Sequence, residues 1–502
     1  MMKTTTLMTM IDNVTIGKVV GRRDTSVSGI IGTLHHITSL MHSFVLFALV
    51  LAARLDAATA QQIDAVVADA MRTGVVPGVS IAIVRDGTIV YARGYGERDR
   101  STHQDVDTQT IFRFGSVTKE VTATIVMALV ERHTLATDAK ISTWLPGFPH
   151  GNEVRLSDLL GQTSGYRDYY PLDYTDDEMA RPRAVASIVH EYANYPLTMT
   201  PDTRWEYSNT NYTIAGEILE KVSGDAASQL LQRYITGPAG MHAFFDEPYR
   251  TMPDRATGYN SFWTEPPHED TPEAPQWLNT AASLAGTASD LARFDIALMR
   301  HRLINAASLR EMTTARALRN GHSSNYGYGL SVGSFNGHRI VSHGGNVIGF
   351  ASNNRLAPDD DTAVVVLTNC YEAPAGTISR KIMALLLAPN APPAPASAPR
   401  GKTRGPEVAL IRYWLEQLRN GTLPERGVTT DFAHLMNARN RARAKATLEH
   451  LGAITGVYVD GSFQRGGLEV FGGTVTFANG TRSVEVYQAP NGDVAEIFLF
   501  AD

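Results

Sequence analysis

Phe114-Gly115-Ser116-Val117-Thr118-Lys119 is followed by Val121, Ile125, Ala128 and Leu129, which with Val117 make one apolar stripe at helical spacing. A helix therefore begins at this hexapeptide. Ser116 and Lys119 are three residues apart, so a helix sets hydroxyl and amine on one face, and its N-terminus favours the alkoxide that forms when the serine loses its proton. A serine nucleophile with a lysine partner is one reading. A capping serine beside an exposed lysine is the other, and a four-residue pattern alone does not decide between them.

Outward from the hexapeptide, sheet-forming segments lie at both ends of a long stretch. Upstream, Val79–Val84 and Ile89–Tyr95 flank Asp86-Gly87, a two-residue hairpin turn, after a helical pattern of Ile63, Val66, Val67, Ala70 and Met71. Downstream, Arg339–Ser342, Gly349–Leu356 and Thr362–Leu367 read as strands and Ile378–Leu387 as a helix, with a mostly helical, loop-rich insertion in between. Residues 391–405 are rich in Pro and Ala and read as an extended linker. Beyond it, helical patterns at Val408–Leu418 and Arg441–Leu451 precede alternating segments at 456–463, 468–477, 482–488 and 494–500, a small α+β module. No motif marks this module, so a packing partner along one edge is expected of it rather than a lid over the cleft.

Composition narrows the chemistry. The chain has 502 residues, 43% hydrophobic and 19% charged, more than one hydrophobic core usually serves. A net charge of −6 and the absence of a Lys/Arg run argue against nucleic acid as a partner. The single cysteine, Cys370, excludes a disulfide framework, an Fe–S cluster and any Cys-pair zinc site, and no H-E-x-x-H is present, so no metal or cofactor is expected. The apolar run Phe44–Ala53 is too short to span a bilayer comfortably and is followed by Ala58-Thr59-Ala60, the pattern of a signal peptide. Residues 1–60 are accordingly read as a leader, 61–390 as the main domain, and the mature protein as exported, periplasmic or extracellular, without a permanent membrane span.

Two more elements complete a set. Trp205-Glu206-Tyr207-Ser208-Asn209 lies in a turn-like stretch before a helix at Ile214–Val222, and Val341-Ser342-His343-Gly344-Gly345-Asn346 lies at the end of a strand. With these the sequence resembles the penicillin-recognising serine hydrolases: class C β-lactamases, D-alanyl-D-alanine carboxypeptidases, D-aminopeptidases and related carboxylesterases. The signatures S-x-x-K, Y-x-N and [KH]-x-G occur in that order at Ser116–Lys119, Tyr207–Asn209 and His343–Gly345. The accessory stretches Leu159–Gly165, Gly286–Leu291 and Gly344–Phe350 are also similar, and the likeness covers roughly residues 61–390.

The resemblance implies an α+β fold: an antiparallel sheet of five or more strands flanked by helices, with a helical insertion, plus the C-terminal module. It implies that Ser116 attacks the carbonyl of a small amide or ester, a small molecule or peptide, and forms an acyl-enzyme. Lys119 and Tyr207 would share the general-base role, the phenol's pKa being lowered by the neighbouring cation. Asn209 would orient Lys119 and the substrate amide, the N–H groups of Ser116 and Asn346 would hold the oxyanion, and Gly344-Gly345 would let substrate lie against the strand. A D-amino-acid peptide or a carboxylic ester is the expected substrate; a β-lactamase, or a penicillin receptor that acylates without efficient turnover, is the alternative.

His343 is a departure, because class C β-lactamases carry lysine there as a permanent cation for the substrate carboxylate, whereas an imidazole is only partly protonated near neutrality. Gln162 is another, since relatives often have His before Thr-Ser-Gly. Two apparent motifs fail on context. Gly329-Leu330-Ser331-Val332-Gly333 resembles a nucleophile elbow but continues into a turn at Asn336-Gly337 and a further strand, and Gly401-Lys402-Thr403 lacks the upstream glycine of a P-loop.

Overall fold

A computed structural model describes residues 55–72, 76–172, 174–176, 178–245, 248–261, 266–269, 271–388 and 401–500. The apolar run Phe44–Ala53 and most of the 391–405 linker lie outside the described residues. The first described helix, Ala57–Met71, is N-capped by the Asp56 side chain and takes in Ala58-Thr59-Ala60.

The main sheet has seven antiparallel strands: β1 (Gly78–Arg85), β2 (Thr88–Asp99), β3 (Gln104–Asp105), β4 (Ser331–Phe335), β5 (His338–Val347), β6 (Phe350–Ala357) and β7 (Thr362–Thr368), in the order β3-β2-β1-β7-β6-β5-β4. Strands from the two ends of the domain meet at the β1–β7 pair, where Ile81 faces Val366. Both strands are buried on both faces, and their side chains alternate between two cores. Val79, Ile81, Ile83, Val364 and Val366 pack under the helices Ala57–Met71 and Ala375–Leu387. Ala82, Val84, Ala363, Val365 and Leu367 join the larger core that contains the helix Thr118–Val130. Ser331 lies in β4, and Asn336-Gly337 turns into β5, so the apparent elbow is a hairpin strand.

The helix Thr118–Val130 runs through the interior, with every residue from Thr118 to Leu129 buried. A helix buried all round must satisfy its polar side chains internally. Thr122 donates to the Thr280 carbonyl at 2.7 Å and Thr124 to the Glu120 carbonyl at 2.7 Å. Glu120 shares the amide of Asn354 with Asp295: the two Nδ2 hydrogen bonds are each 2.7 Å. Burial, reinforced by the Asp295 carboxyl, pushes the Glu120 carboxyl well up, and burial pushes Asp295 up to about 8.

The C-terminal segment forms a four-stranded antiparallel sheet, β8 (Ile454–Arg465), β9 (Leu468–Phe477), β10 (Gly480–Gln488) and β11 (Val494–Phe500), covered by the helices Pro406–Arg419 and Ala438–Leu451. Lys402 bonds to Val459 through both backbone groups at 2.9 Å. Leu172 and Tyr174, from the insertion of the main domain, belong to the core of this sheet, and the Tyr174 hydroxyl donates to the Ala495 carbonyl at 3.1 Å.

The carboxyl pair sets a pH dependence. A carboxyl held protonated in the fold but ionised in the unfolded chain contributes less stability as pH rises, from the ordinary carboxylate range near about 4 to about 8. Asp295→Asn, which keeps the oxygen facing Asn354, is expected to lose less melting temperature between about pH 5 and about pH 8 than the wild type. Melting curves at the two pH values check this; parallel losses would exclude the pair as the source.

Candidate active site

Gly115 bends the chain into the helix that carries Lys119. Its φ is +56°, a conformation glycine adopts without strain, and a Cβ there would lie 3.0 Å from Asn346 N. The short turn Gly115–Val117 then leads into the helix, so Ser116 and Lys119 share a face, as the spacing requires. Lys119 Nζ is 3.0 Å from Ser116 Oγ, and Tyr207 donates its hydroxyl to the same oxygen at 2.7 Å. Three groups far apart in sequence thus meet at one atom.

The surroundings of Lys119 determine what its amine can do. Its side chain is completely buried; Nζ donates to Asn209 Oδ1 at 2.7 Å and to the Ala281 carbonyl at 3.0 Å. Those two acceptors use both N–H groups of a neutral amine and leave its lone pair directed to the Ser116 hydroxyl. Desolvation lowers the Lys119 pKa well below its ordinary value; the Asp168 charge opposes this and the Arg465 charge adds to it. The amine also lies 4.8 Å from the Tyr207 ring centroid and 5.6 Å from that of Tyr212.

Tyr207 behaves differently from the expectation. Burial pushes its phenol up, and the hydrogen bond with Ser116 and the Arg465 charge only partly counter this. Desolvation outweighs both, and the cation that acts on the phenol is Arg465, not the Lys119 expected from the sequence. At neutral pH the phenol keeps its proton, which it donates to Ser116 Oγ.

Asn209 opens the helix Asn209–Ser223, earlier than the Ile214 start read from the sequence. Its Nδ2 donates to Asp168 Oδ2 at 3.1 Å and to the Tyr170 carbonyl at 3.2 Å, while its backbone N–H donates to Asp168 Oδ1 at 2.9 Å. Both amide hydrogens are used inside the protein. Asn209 therefore orients Lys119, and the expected second role toward the substrate amide has no donor to serve it. Gln162 fixes the same segment: its Oε1 accepts from Ser208 N at 3.0 Å and from Asn211 Nδ2 at 2.6 Å.

His343 is buried with both nitrogens engaged. Nδ1–H donates to the Gly344 carbonyl at 2.5 Å, which leaves Nε2 to accept from the Tyr326 hydroxyl at 2.8 Å. Burial lowers its pKa to about 3, so the imidazole stays neutral. Read from sequence as a substrate-binding residue, it is here a neutral wall beside Tyr207, with ring centroids 6.2 Å apart. Gly345 packs closely against the Ser116 turn. A Cβ there would lie 2.1 Å from the Phe114 carbonyl oxygen and 3.0 Å from Ser116 N, so its missing side chain admits the Ser116 turn. Asn346 is exposed, and its side chain donates to the Tyr371 carbonyl at 2.9 Å. The pairing of β5 with β4 ends at Ser342, so His343–Val347 pair only with β6 within the sheet.

Asp168 and Tyr326 were missed in the sequence because they stand in loops without periodicity, and Gln162 was noted there without a role. Arg465 is the least expected. It ends β8, forms a parallel backbone bridge with Tyr207, and lies 3.5 Å from Asp168 Oδ2. The C-terminal segment was expected only to pack along an edge; its first hairpin instead reaches the residues around Ser116.

A family model for β-lactamase matches residues 63–388. The chain is 31% identical over 310 residues to a putative penicillin-binding protein of Bacillus subtilis, covering 61% of this chain and 74% of that protein. It is 28% identical over 374 residues to a D-aminopeptidase of Cereibacter sphaeroides, covering 71% of this chain and 68% of the relative. Among solved structures, an octameric penicillin-binding protein homologue from Pyrococcus abyssi superposes with a TM-score of 0.59 at 20% identity, over 88% of this chain and 98% of that one. A D-amino acid amidase from Ochrobactrum anthropi gives 0.59 at 22% identity, over 67% of this chain and all of the other.

Gly345→Ala should displace β5 from the Ser116 turn and reduce turnover by about 10²-fold, the cost of misplacing one oxyanion donor. Steady-state kinetics beside an unchanged far-UV circular dichroism spectrum check this; full activity would show that the close approach is dispensable.

Proposed function

The chain belongs to the β-lactamase family and is a serine hydrolase of it, and from that premise we propose that it cleaves a small amide or ester through an acyl-enzyme on Ser116, with D-amino-acid amides and peptides as the preferred class. The observation that supports this reading is the single hydrogen-bonded cluster of Ser116, Lys119 and Tyr207, with the lysine amine buried and its two N–H groups already accepted.

As Ser116 Oγ adds to the carbonyl carbon, its proton passes to the Lys119 lone pair. The carbonyl oxygen becomes an oxyanion held by the N–H groups of Ser116 and Asn346, which the contact of Gly115 and Gly345 keeps adjacent. The carbonyl–nitrogen or carbonyl–oxygen bond then breaks. The leaving group takes the Tyr207 hydroxyl proton, and the ammonium of Lys119 replaces it. Water then adds to the acyl carbon, gives its proton back through the same two groups, and Ser116 leaves as the hydroxyl.

The neutral His343 favours amides and esters over substrates that must dock a carboxylate, because no permanent charge stands at that position. The one-sided β5 edge at His343–Val347 offers backbone groups to an extended peptide-like substrate. The D-aminopeptidase relative and the D-amino acid amidase fold neighbour agree with this class. That the substrate is met outside the cytoplasm belongs to the same proposal and rests on the apolar run Phe44–Ala53 alone.

Ser116→Ala is expected to lower kcat/KM by at least ~10⁴-fold on p-nitrophenyl acetate and on D-alanine p-nitroanilide, the loss typical of removing a covalent nucleophile. Residual activity near the wild type would overturn the reading. A panel of D-alanine p-nitroanilide, its L-enantiomer, p-nitrophenyl acetate and nitrocefin, ranked by kcat/KM, checks the substrate class. Nitrocefin ranking first would make it a β-lactamase, and a burst without turnover on all four would make it a receptor.

A further inference from the structure

Building on the reading of Lys119 as the base, we propose that Arg465, supplied by the C-terminal sheet, is a positioning residue for that base: it neutralises Asp168, the carboxylate that orients Asn209, and so lets the Lys119 amine work without its proton.

The hairpin that carries Arg465 is pressed against the site. Its turn, Gly466-Gly467, has φ values of +60° and +84°, and a Cβ on Gly466 would lie 2.9 Å from Pro171 Cβ and 3.1 Å from Asp168 Cβ. The Arg465 guanidinium donates to the Tyr170 carbonyl at 3.2 Å and to the Tyr487 hydroxyl at 3.0 Å, and stands 5.9 Å from the Tyr207 ring centroid. Its side chain is 17% exposed and that of Asp168 is fully buried. A buried carboxylate needs a counter-charge, and Arg465 supplies it from a different module of the chain.

The connection to the base is continuous. Arg465 meets Asp168, Asp168 holds Asn209, and Asn209 Oδ1 accepts from Lys119 Nζ. The other titratable groups facing the amine carry no charge near neutrality. His343 is an uncharged imidazole, burial keeps Tyr207 and Tyr212 as phenols, and Glu120, the next residue on the same helix, holds its proton. The charges that act on Lys119 are then Asp168, which favours its proton, and Arg465, which disfavours it. Without Arg465 the carboxylate would act unopposed and keep the amine protonated to higher pH.

The test is the pH dependence of kcat/KM for p-nitrophenyl acetate, a neutral ester, measured on the full-length chain, so that the acidic limb reports the free enzyme's base. In Arg465→Gln and Arg465→Met that limb should move up by about one pH unit, while Arg465→Lys should keep it near the wild-type position. Above the limb both uncharged variants should recover to within a few-fold of wild type. Asp168→Asn should move the limb in the opposite direction, and an unmoved limb there overturns the proposal whatever the Arg465 variants do. A uniform loss at every pH that lysine does not rescue, or an unmoved limb in Arg465→Gln, also overturns it. If Ser116→Ala is inactive while these limbs stay fixed, only the role of Arg465 fails; if Ser116→Ala is active, the reading of the site fails first.

Discussion

The site depends on one buried amine. Removing an ammonium from water costs several kcal/mol unless a counter-charge stands against it. The carboxylate that acts on Lys119, Asp168, does so through Asn209 and not by contact. The fold offers instead two neutral acceptors, the side-chain oxygen of Asn209 and the carbonyl of Ala281. With Ser116 Oγ as a third neighbour at 3.0 Å, no carboxylate touches the nitrogen, and desolvation disfavours its ammonium form. Desolvation thus favours the neutral amine, and the other contacts around Ser116 hold that amine beside the hydroxyl.

The same physics governs the next residue. Glu120 is as deeply buried as Lys119, and it meets Asp295 through Asn354 rather than a cation. Burial therefore shifts two neighbouring ionisable groups on one helix toward their neutral forms. An ion pair between them would have been a simpler way to bury both charges, but it would have fixed the lysine proton in place. By keeping Glu120 with Asp295 and Lys119 with Asn209, the helix crosses the interior without an internal salt bridge and leaves a basic nitrogen at Ser116.

What could be read from the sequence follows from how local each signal is. The Ser116–Lys119 pair is visible because three residues is nearly a helical turn, and the strands of the sheet because Val79–Val84 and Thr362–Leu367 are short apolar runs between turn residues. Tyr207 and Asn209 were recognisable by their order in the chain. The reversal at Tyr207 was not, because residue type reveals a neighbouring cation but not the burial that outweighs it. Asp168 and Tyr326 stand in loops whose composition says nothing of their partners, and Arg465 lies beyond a Pro/Ala-rich stretch that marks the end of the recognisable domain. No local pattern records that a hairpin from one module closes a charge in another.

That placement also bears on which substrates the cleft can hold. Among the described residues, the side chains at the triad capable of carrying positive charge are Lys119, whose pKa burial lowers, His343, whose imidazole is neutral, and Arg465, which is engaged with Asp168, the Tyr170 carbonyl and the Tyr487 hydroxyl. A substrate carboxylate would have to draw the guanidinium from a buried aspartate to find a partner, leaving that aspartate without its counter-charge, which is the costly way to break an ion pair. An uncharged amide or ester imposes no such exchange, since it requires only backbone donors at the oxyanion position and the edge of β5. On the proposed reading, the pairing of Arg465 with Asp168 thus both tempers the carboxylate's pull on the Lys119 proton and keeps the guanidinium from a substrate.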